Sequence, residues 1–431
     1  MTNNTLFDNL IILGSIMSIC FYEYCMYMLG YSNLTECTTN IINRSIKHNI
    51  LIVKIIQAIT CGQDIHPEIH KVLTENTHNV KYDDEELDTL LLEDICKRYN
   101  IKLLDSKPFH AGMISIVYLG EINDKKVVIK MKRTNIVERI TVGSNNVNFI
   151  YELLHILCSF DKTLINKIDS LKTITKTQEY LISQCDFVKE CDVLITTKRE
   201  LSSYSMCDNI VIPSVYNTPE DLKTNDFIIM EFLDGKFATE ITELSERKLY
   251  YKLFATFMTI NTWFCTYFNT DMHNGNIICM KDGETYKIGI IDFGMCVQVT
   301  KDIKAAVQNF SDIAYTTGLE NAKLGKYINL VIQNPIDLSK LNDEQMVVLD
   351  KSVGFMAQKM QNGELNEKHV NEAFADISSV LIPQFEVTLN MDFTLLILGV
   401  SMGNSTVRIM VNHDAKIVEE TLKEVYFEMM E

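Results

Sequence analysis

A two-lobed α+β fold with a helical N-terminal extension is what these 431 residues predict, and three observations carry it. Residues 1–95 show helical apolar spacing and little strand character. Between 96 and 235, short β-branched segments alternate with helical ones, the texture of a small mixed lobe. From 236 to 431 the pattern is helical again, apart from one hairpin framed by Asp271-Met272-His273-Asn274-Gly275-Asn276 and Ile291-Asp292-Phe293-Gly294.

Composition supports a folded chain with a real core: 47% of residues are hydrophobic and 23% charged. The net charge of -17 argues against a nucleic-acid partner, because sequence-independent binding to phosphate backbones needs clustered basic residues. Twelve cysteines occur without Cys-x-x-Cys pairs, which fits reduced thiols better than a zinc site. The twenty methionines read as core filling. No internal repeat or low-complexity segment is evident.

Taken in order, residues 10–31 are almost wholly apolar and long enough to span a bilayer. No Lys or Arg precedes Arg44, so neither a signal nor a transit peptide is evident. A membrane anchor and a buried helix both fit, and the embedded Glu23 favours the buried helix. The chain is therefore expected to face the cytosol, with membrane association through this segment as the alternative. Helical periodicity runs from Ile41 to Ile59, breaks at Gly62 and Pro67, and returns as an acidic helix over Asp83–Asp94. Ile114–Glu121 and Lys126–Lys132 read as strands of a hairpin turning at Asn123-Asp124. Helices are expected between Asn146 and Leu201, and strands at Val211–Val215 and Phe227–Phe232. The last strand runs through Glu231 into the polar turn Leu233-Asp234-Gly235, a hinge between lobes. Phe393–Val400 is too short to span a bilayer and reads as core helix.

The chemistry sits in the framed hairpin. An Asp followed five positions on by an Asn, and then by a strand ending in Asp-Phe-Gly, is the metal and phosphate apparatus of a protein-kinase-like fold. Either half alone is a frequent accident; together they point to ATP and magnesium. Asn276 and Asp292 are the expected magnesium ligands, and Asp271 the residue that positions the phosphoryl acceptor. Lys130, in Val127-Val128-Ile129-Lys130, matches the strand lysine that reaches the α- and β-phosphates, with a solvated strand lysine as the bland alternative. Glu190 is its candidate carboxylate partner, and Glu231 is the hinge residue at the nucleotide. The loop before Lys130, Pro108-Phe109-His110-Ala111-Gly112-Met113-Ile114-Ser115, is where Ala111 and Gly112 would cover phosphates. It holds one glycine, so few backbone N–H groups can wrap an anion. His273 is expected to buttress the Asp271 turn through its backbone, and Trp263 to fill a helical core.

Four segments carry a family resemblance. The loop from Pro108 to Ile114 follows the frame Pro-x-Ala-Ala-Ala-Ser-Ile. Gln184-x-Asp186-Phe187-x-x-Glu190-Cys191 follows Glu-x-Asp-[Tyr/Phe]-x-x-Glu-Ala. Lys54-Ile55-Ile56-Gln57, followed by Asp64 and Pro67, follows Lys-x-Gly-Gln. Asn269-x-Asp271-Met272-His273-Asn274-Gly275-Asn276 follows His-x-Asp-Pro-His-Pro-Gly-Asn. With the Asp-Phe-Gly turn, these make the chain resemble the UbiB or aarF-domain atypical kinases from about Lys54 to about Met410. That family includes bacterial and mitochondrial proteins needed for coenzyme Q biosynthesis.

The resemblance implies ATP binding with magnesium, ATPase or small-molecule phosphotransfer, and a link to lipids and membranes. It also implies that the extension reaches the active site through Lys54 and Gln57, with Asp186 part of the same motif set. Three departures stand out: Ile56 for glycine, Gln184 for glutamate, and Gly112 for alanine. Two rivals remain open. One is a small-molecule kinase of the aminoglycoside or choline type, against which the Lys54-x-x-Gln57 motif and the Ala111 loop speak. The other is a pseudokinase, a nucleotide-gated module for which the eroded loop and Gln184 speak. The acceptor itself is unknown and is expected to be water or a small, lipid-related molecule.

Overall fold

The computed structural model describes residues 6–53, 56, 69, 72, 73, 80–157, 178–218, 221, 225–319, 322–361, 367–381, 384, 385, 387, 388, 390–412 and 414–430. Lys54 and Gln57, and the break at Gly62 and Pro67, lie outside them. The chain divides into two compact units: Met1–Lys189 with Val215–Phe232, and Glu190–Ser214 with Leu233–Glu431.

The first unit opens with α1 (Leu6–Met28), α2 (Leu34–His48) and α3 (Thr89–Tyr99). Strands β1 (Lys102–Leu103), β2 (His110–Ala111), β3 (Ser115–Ile122) and β4 (Lys125–Lys132) follow, then α4 (Ile136–Leu157) and α5 (Gln178–Ser183). Helix α6 (Phe187–Leu201) begins in this unit and continues into the second, which also takes β5 (Ile210–Val211) before the chain returns for β6 (Phe227–Glu231). The second unit then holds β7 (Lys236–Phe237), α7 (Leu244–Trp263), β8 (Tyr267–Asn269), β9 (Ile277–Asp282), β10 (Thr285–Ile290) and β11 (Cys296–Gln298). It ends in helices α8 (Lys301–Asp312), α9 (Ile328–Val331), α10 (Asp343–Gln361), α11 (Glu367–Leu381), α12 (Met391–Val411) and α13 (Ala415–Met430).

The first unit's sheet has the order β1-β3-β4-β6, with β2 added on β3. Its central hairpin turns on Asn123 and Asp124, both at positive φ (48° and 63°), as a two-residue turn that follows strand twist requires. Alternation then sends Ile116, Tyr118, Val127, Ile129, Met131, Phe227 and Ile229 to one face, buried with Leu92 and Ile95 of α3. The acidic stretch forms a short 3₁₀ turn at Asp84–Glu86 and then α3, because Asp88 caps the helix by accepting from the Leu91 N–H at 2.9 Å. Helix α4 starts ten residues earlier than the Asn146 expected from sequence, since Ile136 and Ile140 bury in a second core with Ile42, Ile46 and Leu51.

Helix α1 departs from the buried-helix reading. Only Asn9, Ile19 and Glu23 are buried on it, while Leu6, Phe7, Met17 and Phe21 are exposed. Glu23 does not force α1 into a core. Its carboxylate meets Arg44 of α2 at 2.6 Å and the Asn40 amide at 3.1 Å, so one neighbouring helix satisfies the charge and the other face stays apolar.

In the second unit the sheet order is β5-β10-β9-β7, with β5 parallel to β10 and the other pairs antiparallel. Strands β8 and β11 form a separate antiparallel pair. A helical core built on Leu324, Ile328, Leu349, Val353, Ala373 and Ile377 completes it. The Phe393–Val400 run lies inside α12, and Trp263, 6% exposed, ends α7. The molecule is thus a mixed α+β structure with helices at its N-terminal end.

Candidate nucleotide and metal site

Hairpin register brings the second unit's chemistry together. Pairing of Ile277 with Ile290 places Asn276 and Ile291 at the open end, where the Ile291 N–H donates to the Asn276 carbonyl at 3.1 Å. Asp292 is the next residue. Gly283, at φ +60°, closes the other end of the hairpin.

The loop that carries Asp271 is fixed by amide groups. The Asn276 side-chain amide donates to the Asp271 carbonyl at 2.7 Å, which leaves its Oδ1 as the oxygen end of the group. Asn269, 1% exposed, works in two directions. Its Oδ1 accepts from the Asp271 N–H at 3.0 Å, and its amide donates to the Asp292 carbonyl at 2.7 Å. Behind it, Asn261 accepts from the Asn269 N–H at 3.0 Å and donates to the Tyr267 carbonyl at 2.9 Å. His273 buttresses the turn by backbone contacts: its Nδ1 accepts from the Gly275 N–H at 3.0 Å, and its own N–H donates to the Asp271 carbonyl at 2.9 Å. Its Nε2 stands 3.8 Å from Asp271 Oδ2.

Glu190 belongs to the same assembly. It is 2% exposed, and a Cβ added at Gly294 would lie 3.4 Å from Glu190 Oε2 and 3.2 Å from Asp292 Oδ1. Glycine is what lets the Asp-Phe-Gly turn close against two carboxylates, with the Gly294 N–H donating to Asp292 Oδ1 at 2.8 Å. The second unit therefore brings Glu190, Asp271, Asn276 and Asp292 into one neighbourhood. Oxygen donors from a carboxylate and an amide are what a hard divalent cation takes, so the set at Asn276 and Asp292 fits magnesium.

The first unit holds the remaining residues. Lys130 sits mid-sheet on β4, paired with Val117 and Ile228, and is 8% exposed. Its ammonium lies 5.5 Å from the centre of the Phe187 ring, and that of Lys132, two residues along the same face, lies 5.4 Å away. Burial pushes the Lys132 ammonium below its ordinary value. Phe187 starts α6, whose first N–H groups are capped by Asn225 Oδ1 (2.6 Å to Phe187 N) and by Asp186 Oδ1 (3.1 Å to Lys189 N). Glu231 closes β6 opposite Val127.

The loop at Ala111 and Gly112 is drawn tight. Ala111 pairs with Ile116 and is 1% exposed. The Gly112 N–H donates to the Ser115 carbonyl at 2.9 Å, so it is used inside the turn. Arg133, a residue that sequence reasoning passed over, anchors this loop while 1% exposed. It donates to the carbonyls of Gly112 and Val80, both at 2.9 Å, and of Lys81 at 3.2 Å, and it pairs with Glu86 at 2.5 Å. Burial pulls its guanidinium below the ordinary value, against the opposing pull of Glu86.

The family model of the ABC1 atypical kinase-like domain matches residues 84–321. This chain belongs to that family. The ABC1 match takes in Ala111, Gly112, Lys130, Glu190, Glu231, Asp271, Asn276 and Asp292, and begins after Lys54 and Gln57. No curated protein matches the chain. Among solved structures, it is similar to the complex of Rv3197 with erythromycin from Mycobacterium tuberculosis at 13% identity, covering 85% of this chain and 91% of that one, with a TM-score of 0.44. The Rio2 kinase-ADP/Mg2+-phosphoaspartate complex from Chaetomium thermophilum is similar at 13% identity, over 77% of this chain and 96% of that one, with a TM-score of 0.32.

Proposed function

We propose that this ABC1 atypical kinase-like protein binds ATP with magnesium and acts as an ATPase or as a phosphotransferase toward a small, lipid-related acceptor. The observation that supports this most is the convergence of Asp271, Asn276 and Asp292 at one end of the β9–β10 hairpin, pinned by neutral amides. Asn276 and Asp292 would hold magnesium, which neutralises charge on phosphate oxygens when bound. Asp271 positions the acceptor hydroxyl or a water and takes its proton. Motif order assigns Lys130 to the phosphates, Glu190 to Lys130 as counter-charge, and Ala111, Gly112 and Glu231 to the nucleotide.

Asp292→Asn is expected to abolish the magnesium-dependent thermal shift with ATP. An equal shift in both proteins would remove Asp292 from the metal site. ADP release above that of Asp271→Asn marks an enzyme. Release at the level of that variant favours a second reading, a nucleotide-gated pseudokinase, for which the internally used Gly112 N–H speaks. The exposed apolar face of α1 supports membrane association. Deleting the first thirty residues should then move the protein from membrane pellet to supernatant.

A further inference from the structure

The second unit has a half-open cavity of about 150 Å³ between α7, α8, α10, α12 and α13. Its wall is mostly apolar, and three of the hydroxyl groups on it are used elsewhere. Thr259 and Thr262 donate back to the carbonyls of Ala255 and Met258, at 2.8 and 2.7 Å. Tyr426 donates to Asp312 at 2.6 Å. Tyr251 differs. It lines the cavity and is 1% exposed, and its buried hydroxyl has no hydrogen-bond partner among the described residues. Burial pushes the phenol above its ordinary value, so it stays a neutral donor.

An orphaned buried hydroxyl carries a desolvation cost that an oxygen acceptor in the cavity would remove. A largely apolar cavity of this volume has room for a molecule of about six carbons. The wall is also interrupted by a π-helical turn, Ile313–Thr317, which sets Ala314 and Tyr315 on the cavity; single π turns recur at ligand sites.

We propose that this cavity is a binding site for a neutral apolar molecule with one oxygen atom that accepts the Tyr251 hydroxyl. The site is separate from Asp271, Asn276 and Asp292 and stands whether or not the chain turns over ATP. A reporter is built in, because Trp263 lines the cavity and is the single tryptophan of the chain.

The full chain titrated with 6-bromo-1-hexanol should show saturable quenching of Trp263, relieved by 1-hexanol. Tyr251→Phe, its fold checked by circular dichroism, should weaken this binding about fivefold, the worth of one hydrogen bond, and leave 1-bromohexane binding unchanged. Quenching that never saturates, or that 1-hexanol does not relieve, would overturn the site. Equal affinity of 6-bromo-1-hexanol for both proteins would overturn the role of Tyr251. If the variant does not fold, wild type alone decides: 1-hexanol should compete about fivefold better than hexane, and equal competition overturns the assignment.

Discussion

In the second unit, Asp271 and Asp292 are held by amides: Asn269 grips the backbone beside each, and Asn276 closes on the Asp271 carbonyl. In the first unit, the Ala111-Gly112 loop is held by charge, through Arg133 and its partner Glu86. The difference follows from what each region must present. A carboxylate reserved for a cation loses its value beside a permanent positive charge, whereas an amide orients the backbone and leaves the charge unspent. A loop with no ionised group of its own is under no such limit.

The largest expected effect comes from breaking the charged anchor. Arg133→Met should destabilise the protein by about 3–5 kcal/mol in urea unfolding, because it strips a partly buried carboxylate and three carbonyls of their partner. Little change would mean that Arg139, 2.6 Å from Glu86, carries the pair by itself. Asn269→Leu should cost about 2–4 kcal/mol by the same measurement, since a buried N–H and a carbonyl lose their partner at once. It should also weaken the magnesium-dependent thermal shift with ATP.

Gly294→Ala sharpens the comparison at smaller scale. Its Cβ would press on two carboxylates at 3.2 and 3.4 Å, costing about 1–3 kcal/mol of overpacking and lowering magnesium affinity. Gly112→Ala should do the opposite. The new Cβ would meet Ser115 only at 3.7 and 3.8 Å, which is ordinary contact, so a small gain of about 0.5 kcal/mol is expected from the stiffer unfolded chain. A loss there would show that the glycine is needed for its conformation.

What the sequence made legible was local. The Asp271, Asn276 and Asp292 spacing could be read because one hairpin and the residues flanking its open end carry all of it, and alternation along β9 and β10 fixes the register. The two positive-φ residues of the β3–β4 turn were legible for the same reason. Arg133 was not, since its partners lie at Val80, Lys81, Glu86 and Gly112, and no spacing rule connects them. Asn269 could be seen only as the residue standing where the family has histidine. Its hold on Asp292 spans 23 positions and becomes visible only when β8 and the hairpin are in place. The exposed face of α1 was hidden by Glu23, whose partner Arg44 sits on the following helix.

The route of the chain has a consequence for how the protein is made. Residues 190–214 belong to the second unit, yet the ribosome releases them before the first unit receives its last strand. Strand β5 must wait for β10, with Ile210 pairing with Ile288. Glu200 likewise waits for Thr266, whose N–H and hydroxyl it accepts at 2.9 and 2.6 Å. Closing so long a parallel pairing is slow, and the waiting segment exposes Ile210 and Ile212, both buried in the finished molecule. Neither unit can be excised as one continuous stretch of sequence, so synthesis passes through a stage when both are incomplete. That is the interval in which this chain is most exposed to aggregation and to chaperones.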